Sequence, residues 1–271
     1  MAIIYTPQGN VRLSLYGDIW RYRELFYFLL WRDIKVRYKQ TSVGIFWAIL
    51  QPFLMMLIFT LVFGSLGQAA LVGIPYPVYA FSGLIFWNLF SRSITSASES
   101  MLANKSLIKN NAFPRIILPF VSILINLLDY FAAFTVLVLL FIFFRIQLPL
   151  VGLVMLILPL ILTVFLSVGI GAVFAVLNIA YKDVKFLIPF LLQLWLFLTP
   201  AIYGGGFVSE QYRIVLAINP LTGIIQIVHN VLLGLPVDIT AIMLSLALCV
   251  GIGSGGLLFF SIKEKKYLDI L

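Results

Sequence analysis

The sequence predicts an all-α polytopic membrane protein with six transmembrane helices, and three observations carry that reading. No Asp, Glu, Lys or Arg stands between Lys39 and Arg92. Hydrophobic residues make up 62% of the 271-residue chain against 10% charged residues, and the mean hydropathy is +1.11. Most of the 18 Lys and Arg gather at the ends of apolar runs. A water-soluble core cannot use that much apolar sequence, so the chain requires a bilayer as its solvent.

A spanning helix takes about 20 apolar residues at 1.5 Å per residue. The uncharged stretch after Lys39 is long enough for two, and Gly73-Ile74-Pro75-Tyr76-Pro77 separates them because proline cannot continue an exposed helix interior. Span one is expected near Val43 to Leu66 and span two near Val78 to Ser98. Residues 96 to 115 turn polar and read as a short surface segment. Pro114 then opens span three, near Arg115 to Phe144, as proline does in a first turn. Gln147-Leu148-Pro149 is a tight turn before span four, near Leu150 to Asn178. A short loop over Ala180 to Lys185 leads to span five, near Phe186 to Tyr203. Between Ile214 and Val237 the chain is uncharged but broken by Asn219-Pro220, Gly223, His229-Asn230 and Gly234-Leu235-Pro236. Its apolar runs are too short to cross, and a re-entrant pair of short helices, a hairpin on the exterior face over residues 205 to 236, fits better. Span six runs near Ile239 to Ile262 and stops at Lys263-Glu264-Lys265-Lys266.

Charge supports the count. With a cytoplasmic N-terminus, six spans place residues 1 to 42, 92 to 115, 179 to 185 and 263 to 271 inside, and these hold 16 of the 18 Lys and Arg. Seven spans would send the Lys263 to Lys266 cluster outside. Seven basic residues precede the first long apolar run and no small-residue cleavage site follows a short one, so no signal peptide is expected. The chain therefore divides into a cytoplasmic segment (1–42), a transmembrane domain (43–262) and a cytoplasmic tail (263–271) of a multi-pass protein in the cytoplasmic membrane. The net charge of +8 follows from this topology and does not require nucleic acid as a partner. Within 1–42, residues 24 to 39 read as an amphipathic interface helix. Tyr27, Leu30, Trp31, Ile34 and Tyr38 recur at three-to-four spacing, Arg32, Lys35 and Lys39 share another face, and Asp33 is one turn from Arg37. Anchoring and substrate handling both remain open as its role.

Asp129 is the one acid deep in a span. About 20 Å from the inner end of span three, it must be protonated, paired or facing a wet cavity, and Asn126 shares its face. A functional site and a helix-association contact both satisfy that requirement. Several chemistries are excluded by sequence. One His and one Cys cannot form a metal cluster, and the single Cys249, inside an apolar run, reads as a packing residue. No G-x-x-x-x-G-K-[ST] phosphate cradle occurs, nor a nucleophile elbow or carboxylate pair, so an enzyme is not expected and no cofactor is assigned to the chain.

Trp31-Arg32-Asp33-Ile34-Lys35-Val36-Arg37-Tyr38-Lys39-Gln40-Thr41, Gly44-Ile45-Phe46-Trp47-Ala48 and Gln51-Pro52 resemble the entry to the first span in ABC-2 type permeases that export polysaccharides. The resemblance continues through Gly73-Ile74-Pro75-Tyr76-Pro77, Phe113-Pro114-Arg115, Tyr181-Lys182-Asp183-Val184, Pro189, Gln193-Leu194-Trp195, Thr199-Pro200 and Asn219-Pro220-Leu221. It implies a homodimeric permease whose two separate ATPase subunits use ATP and magnesium, and a lipid-linked glycan as substrate, such as an O-antigen, a capsular polysaccharide or a teichoic acid. Alternatives are an ABC-2 exporter of a drug or small hydrophobic molecule, and a membrane-embedded transferase acting on lipid carriers. On this reading Met101, Lys105, Ile108 and Lys109, with Tyr181, Lys182 and Asp183, are expected to face the ATPase. Arg32, Lys35, Arg37, Lys39, Arg92 and Arg115 form a basic rim suited to a lipid phosphate. Tyr203, Asn219, Pro220 and His229 fall at an exterior gate, where the family often has Arg in place of His229. Aromatic faces suit sliding sugar rings, although most of the chain's 24 Phe, 12 Tyr and 5 Trp have ordinary lipid-facing roles.

Overall fold

The computed structural model describes residues 21–39, 46–67, 73–147, 149–203 and 216–268, and they are helical throughout with no strand among them. In chain order the helices are α1 (Arg23–Lys39), α2 (Phe46–Gly67), α3 (Tyr76–Ala103), α4 (Lys105–Asn110), α5 (Ile117–Phe143), α6 (Leu150–Met155), α7 (Ile157–Ala180), α8 (Val184–Phe197), α9 (Pro220–Leu233) and α10 (Ile239–Leu268). Among the described residues, three stretches are long and apolar enough to cross a membrane: Ile117–Phe143, Leu150–Ala180 and Ile239–Glu264. The second is continuous except at Leu156, because Pro159 cannot donate to the Met155 carbonyl.

α3 is the hub of the bundle. It packs on α7, α5, α2, α9 and α8, and most of its 28 residues are buried, including Phe81, Phe86, Phe90 and Ile94. Its sequence is the more polar one, with Asn88, Arg92, Ser96 and Glu99 at helical spacing, so the least apolar long helix lies at the centre and the most apolar ones face out. Phe131, Leu139 and Ile142 on α5, Ile157 and Ile161 on α7, and Met243, Val250 and Ile262 on α10 are exposed. Apolar surface on that scale is what a lipid-solvated protein presents.

α7 and α10 meet through glycine. A Cβ built on Gly169 would collide with the backbone of Gly253, and one on Gly256 with the backbone of Gly169. With no hydrophobic force between helices in lipid, such close backbone approach supplies the van der Waals contact that holds them.

Several sequence expectations change in detail. α3 runs on to Ala103, so Arg92 lies within the helix, about 16 Å before its C-terminal end, and not in a loop. α8 stops at Phe197, and its 14 residues, about 21 Å, are short of a bilayer's hydrocarbon core. Residues 198–203 continue beyond it without regular structure. Of the expected hairpin, α9 is present; its first arm falls on residues 204–215, outside the described residues, as does the start of span one.

α1 packs on the bundle through part of the expected stripe, Leu30 and Ile34, together with residues outside it. Leu29 is buried, and Tyr22, Leu25, Phe26, Leu30 and Ile34 pack with it on Ile117, Val121 and Ile125 of α5, whereas Tyr27, Phe28 and Trp31 are exposed. Leu25, Leu29 and Tyr22 form a second apolar stripe, so periodicity alone left two candidate faces.

Replacing Gly169 or Gly253 by Leu should lower the thermal unfolding midpoint of the purified protein in detergent, an overpacking cost of about 1–3 kcal/mol. Gly255, beside which a Cβ would meet nothing within 4 Å, should accept Ala without loss.

Candidate functional site

The polar residues form two buried networks, one on either side of α3. The first centres on Asp129, whose side chain keeps only 7% of its surface exposed. Arg37 Nη2 forms an ion pair with Oδ2 at 2.9 Å, and Arg92 Nη1 donates to the same oxygen at 3.1 Å. The Tyr38 hydroxyl donates to Oδ1 at 2.6 Å. The remaining guanidinium edges rest on amide oxygens, Arg37 Nη1 on Asn126 Oδ1 at 2.9 Å and Arg92 Nη2 on Gln51 Oε1 at 2.6 Å. Asn126 Nδ2 in turn donates to Ser96 Oγ and to the Ser122 carbonyl. Side chains from α1, α2, α3 and α5 therefore meet at one carboxylate.

Helical spacing builds this site. Arg37 and Tyr38 close α1, Asn126 and Asp129 are three apart on α5, and Arg92 and Ser96 are four apart on α3. α1 climbs beside α5, with Phe26 near Phe120 at a ring separation of 5.9 Å and Tyr38 at Asp129. Burial and the neighbouring carboxylate push the Tyr38 hydroxyl's pKa well above its ordinary value, so Tyr38 stays protonated and donates.

The expected basic rim is thus divided. Arg37 and Arg92 converge. Arg32 bonds Asp33 at 2.7 Å and Asn104 at 2.8 Å, which takes Asp33 as a partner where Arg37 was expected. Arg115 pairs with Glu264 at 3.2 Å, joining the start of α5 to the end of α10. Lys35 and Lys39 are exposed, Lys35 lying 4.8 Å from the Trp31 ring. Sequence reasoning singled out Asp129, Asn126, Arg37 and Arg92 but did not join them, and it missed Tyr38 and Gln51 as members. The signal available was the requirement that a deep acid find a partner.

The second network supports the irregular segment after α8. Backbone carbonyls at membrane depth need donors. Tyr76 donates to Ile202 O at 2.7 Å, Tyr79 to Tyr203 O at 3.0 Å, and Asn219 Nδ2 to Leu198 O at 2.9 Å. Gly83 admits the segment, since a Cβ there would lie 2.6 Å from the Ala201 oxygen. Asn219 also accepts from Trp195 Nε1 at 3.0 Å and from Leu221 N, capping α9 ahead of Pro220, which stands at the first helical position. Buried His229 stacks on Tyr79 with ring centroids 4.0 Å apart and contacts the Tyr79 carbonyl at 3.2 Å through Nε2. The structure thus brings Tyr203, Asn219, Pro220 and His229 into one region around the N-terminal end of α3.

At the other end, Met101 and Ile108 are corrections. Both are buried against Leu29, Phe113 and Ile117 and cannot enter another protein's groove. They fill the space under α4, because a six-residue helix with one apolar side holds to the bundle only by that side. Leu102, Lys105 and Lys109 are exposed there, and Tyr181, Lys182 and Asp183 are exposed on the loop between α7 and α8.

Asp129→Ala should destabilise the purified protein by about 3 kcal/mol, since it strands two part-buried guanidiniums. In a double-mutant cycle by thermal or denaturant unfolding, Arg92→Met should then cost less in the Asp129→Ala background than alone. Asn219→Ala should also lower stability, by about 2 kcal/mol, through loss of the cap and of the donor to Leu198.

The family described as ABC-2 type transporter matches residues 24–233. An O-antigen export system permease protein RfbA of Klebsiella pneumoniae is 29% identical over 197 residues, 72% of this chain and 74% of that protein. A protein of the same description from Myxococcus xanthus is 24% identical over 214 residues, 78% and 81% of the two chains. The polysialic acid transport protein KpsM of Escherichia coli is 26% identical over 199 residues, covering 73% and 77%.

Proposed function

The chain belongs to the ABC-2 type transporter family, and we propose that it is the permease subunit of an ATP-driven exporter that carries a lipid-linked polysaccharide across the cytoplasmic membrane. The observation that carries this reading is the polar stripe inside an apolar bundle: Asn88, Arg92 and Ser96 on α3 beside Ser122, Asn126 and Asp129 on α5. A pure anchor has no need to hold charge there. The relatives named above handle O-antigen and polysialic acid, which favours a glycan over a drug as substrate.

Six spans with both termini cytoplasmic account best for the helices. α2, α3, α5, α6 with α7, and α10 supply five. The sixth combines α8 with the irregular residues 198–203, whose carbonyls the tyrosines of α3 satisfy. α9 is then one arm of an exterior re-entrant hairpin, ended by Gly234 in the left-handed conformation at φ 67°.

A permease of this kind works as a homodimer with two ATPase subunits, which bind and hydrolyse ATP with magnesium. The exposed Lys105 and Lys109 of α4 and the Tyr181-Lys182-Asp183 loop form the contact surface. The cations Arg32, Lys35, Arg37, Lys39, Arg92 and Arg115 attract the anionic headgroup of the lipid carrier from the inner leaflet, the exposed Lys35 and Lys39 each contributing on the order of 1 kcal/mol near the surface. Tyr203, Asn219, Pro220 and His229 shape the exit, where a buried neutral ring replaces a fixed charge.

In a Cys249→Ser background, Ser106→Cys and Pro236→Cys should label with an impermeant thiol reagent from opposite membrane faces; labelling of both from outside would reject six spans. Charge reversal at Lys105 and Asp183 should weaken coupling to the ATPase, read as lost stimulation of ATP hydrolysis. Deleting the gene should abolish surface polymer, and normal surface display would remove the export assignment.

A further inference from the structure

The Asp129 cluster has the form of an anion site that already holds an anion. Three donors from two helices, Arg37, Arg92 and the Tyr38 hydroxyl, converge on one carboxylate at 2.6–3.1 Å. Guanidinium forks match carboxylate and phosphate oxygens alike. The carboxylate is buried, yet Arg37 and Arg92 keep 34% and 24% of their side-chain surface exposed, so the donors are reachable while the acceptor is not. The three charged groups sum to +1, which leaves these groups one negative charge short of neutrality in a medium where charge is costly. The guanidinium edges not on Asp129 are held by the neutral amide oxygens of Asn126 and Gln51, acceptors that a charged phosphate oxygen outcompetes.

We propose that Arg37, Arg92 and Tyr38 form a specific binding site for a phosphate group on the lipid carrier, and that Asp129 is its built-in competitor. With no carrier present Asp129 neutralises and aims the two arginines. A phosphodiester or pyrophosphodiester entering from the inner leaflet takes the guanidinium edges now on the two amides and shares the arginines with Asp129, which recovers them fully as the carrier leaves. Because α1 supplies two of the three donors and packs on the inner ends of α3 and α5, carrier binding would register in the helix nearest α4. This inference rests on the reading of the protein as a lipid-linked glycan exporter.

The test uses the full chain with its ATPase in nanodiscs of zwitterionic lipid, titrated with a short-chain polyprenyl phosphate, the matching uncharged polyprenol, inorganic phosphate and phosphatidylglycerol. Arg92→Gln should weaken binding of polyprenyl phosphate about tenfold, and Asp129→Asn should tighten it about tenfold by removing the competing charge. Uncharged polyprenol should bind weakly to all of them. Should Asp129→Asn fail to assemble, the Asp129→Asn, Arg92→Gln double variant, which restores the cluster's charge, is compared with Arg92→Gln alone, and tighter binding by the double variant is expected. Weaker or unchanged binding on loss of the carboxylate, with the unfolding midpoint retained, would overturn the competitor role. Equal protection by inorganic phosphate or by phosphatidylglycerol would overturn the assignment to the carrier. Surface polymer in the deletion strain reports on export independently, so failure of that broader reading is distinguishable from failure of this site.

Discussion

An acid inside a lipid-solvated bundle must be protonated, paired or wet, and the Asp129 cluster is where this chain meets that constraint by pairing. Arg92 stands in the middle of α3 and Arg37 at the end of α1, so each charge is tolerable only because Asp129 is within 3.1 Å. The pairing fixes more than charge. It requires α1 to rise beside α5, sets α3 and α5 in register, and draws Gln51 of α2 to the same point. Three helices are tied by one side chain with 7% of its surface exposed, and α2 joins them through the bond from Arg92 to Gln51. The glycine contact between α7 and α10 works by dispersion alone and lacks this directional element.

Unsatisfied backbone is the second constraint, and it explains why the region around the start of α3 is rich in aromatic and amide side chains. α8 ends too early to cross on its own, and the carbonyls of residues 198, 202 and 203 would be stranded without Asn219, Tyr76 and Tyr79. The proline motifs at Pro75, Pro200 and Pro220 are the points where helices begin or stop around this seam. A segment supported by side-chain hydroxyls and amides has more freedom to change its bonding than a closed helix.

The apolar runs, their proline breaks and the distribution of basic residues determined the class of protein, the rough places of the long helices and, through motif resemblance, a family that the match over residues 24–233 bears out. Those features are local and periodic, and the bilayer imposes them on any sequence it solvates. The deep acid was also legible, because a charge at that depth stands out against its own helix. Tertiary structure decided the rest. Residue order does not say which cations reach Asp129, since Arg37 and Arg92 are separated from it by 92 and 37 positions and any of six basic residues met the same local criteria. It does not say which residues of α1 meet α5: Leu25 and Leu29 pack there with Leu30 and Ile34, while Tyr27 and Trp31 are exposed. Nor does it separate Met101 and Ile108, which are buried beneath α4, from the exposed Leu102 one residue away. Pairing and facing depend on how helices pack, and a short-range pattern holds no information about the neighbour it will meet.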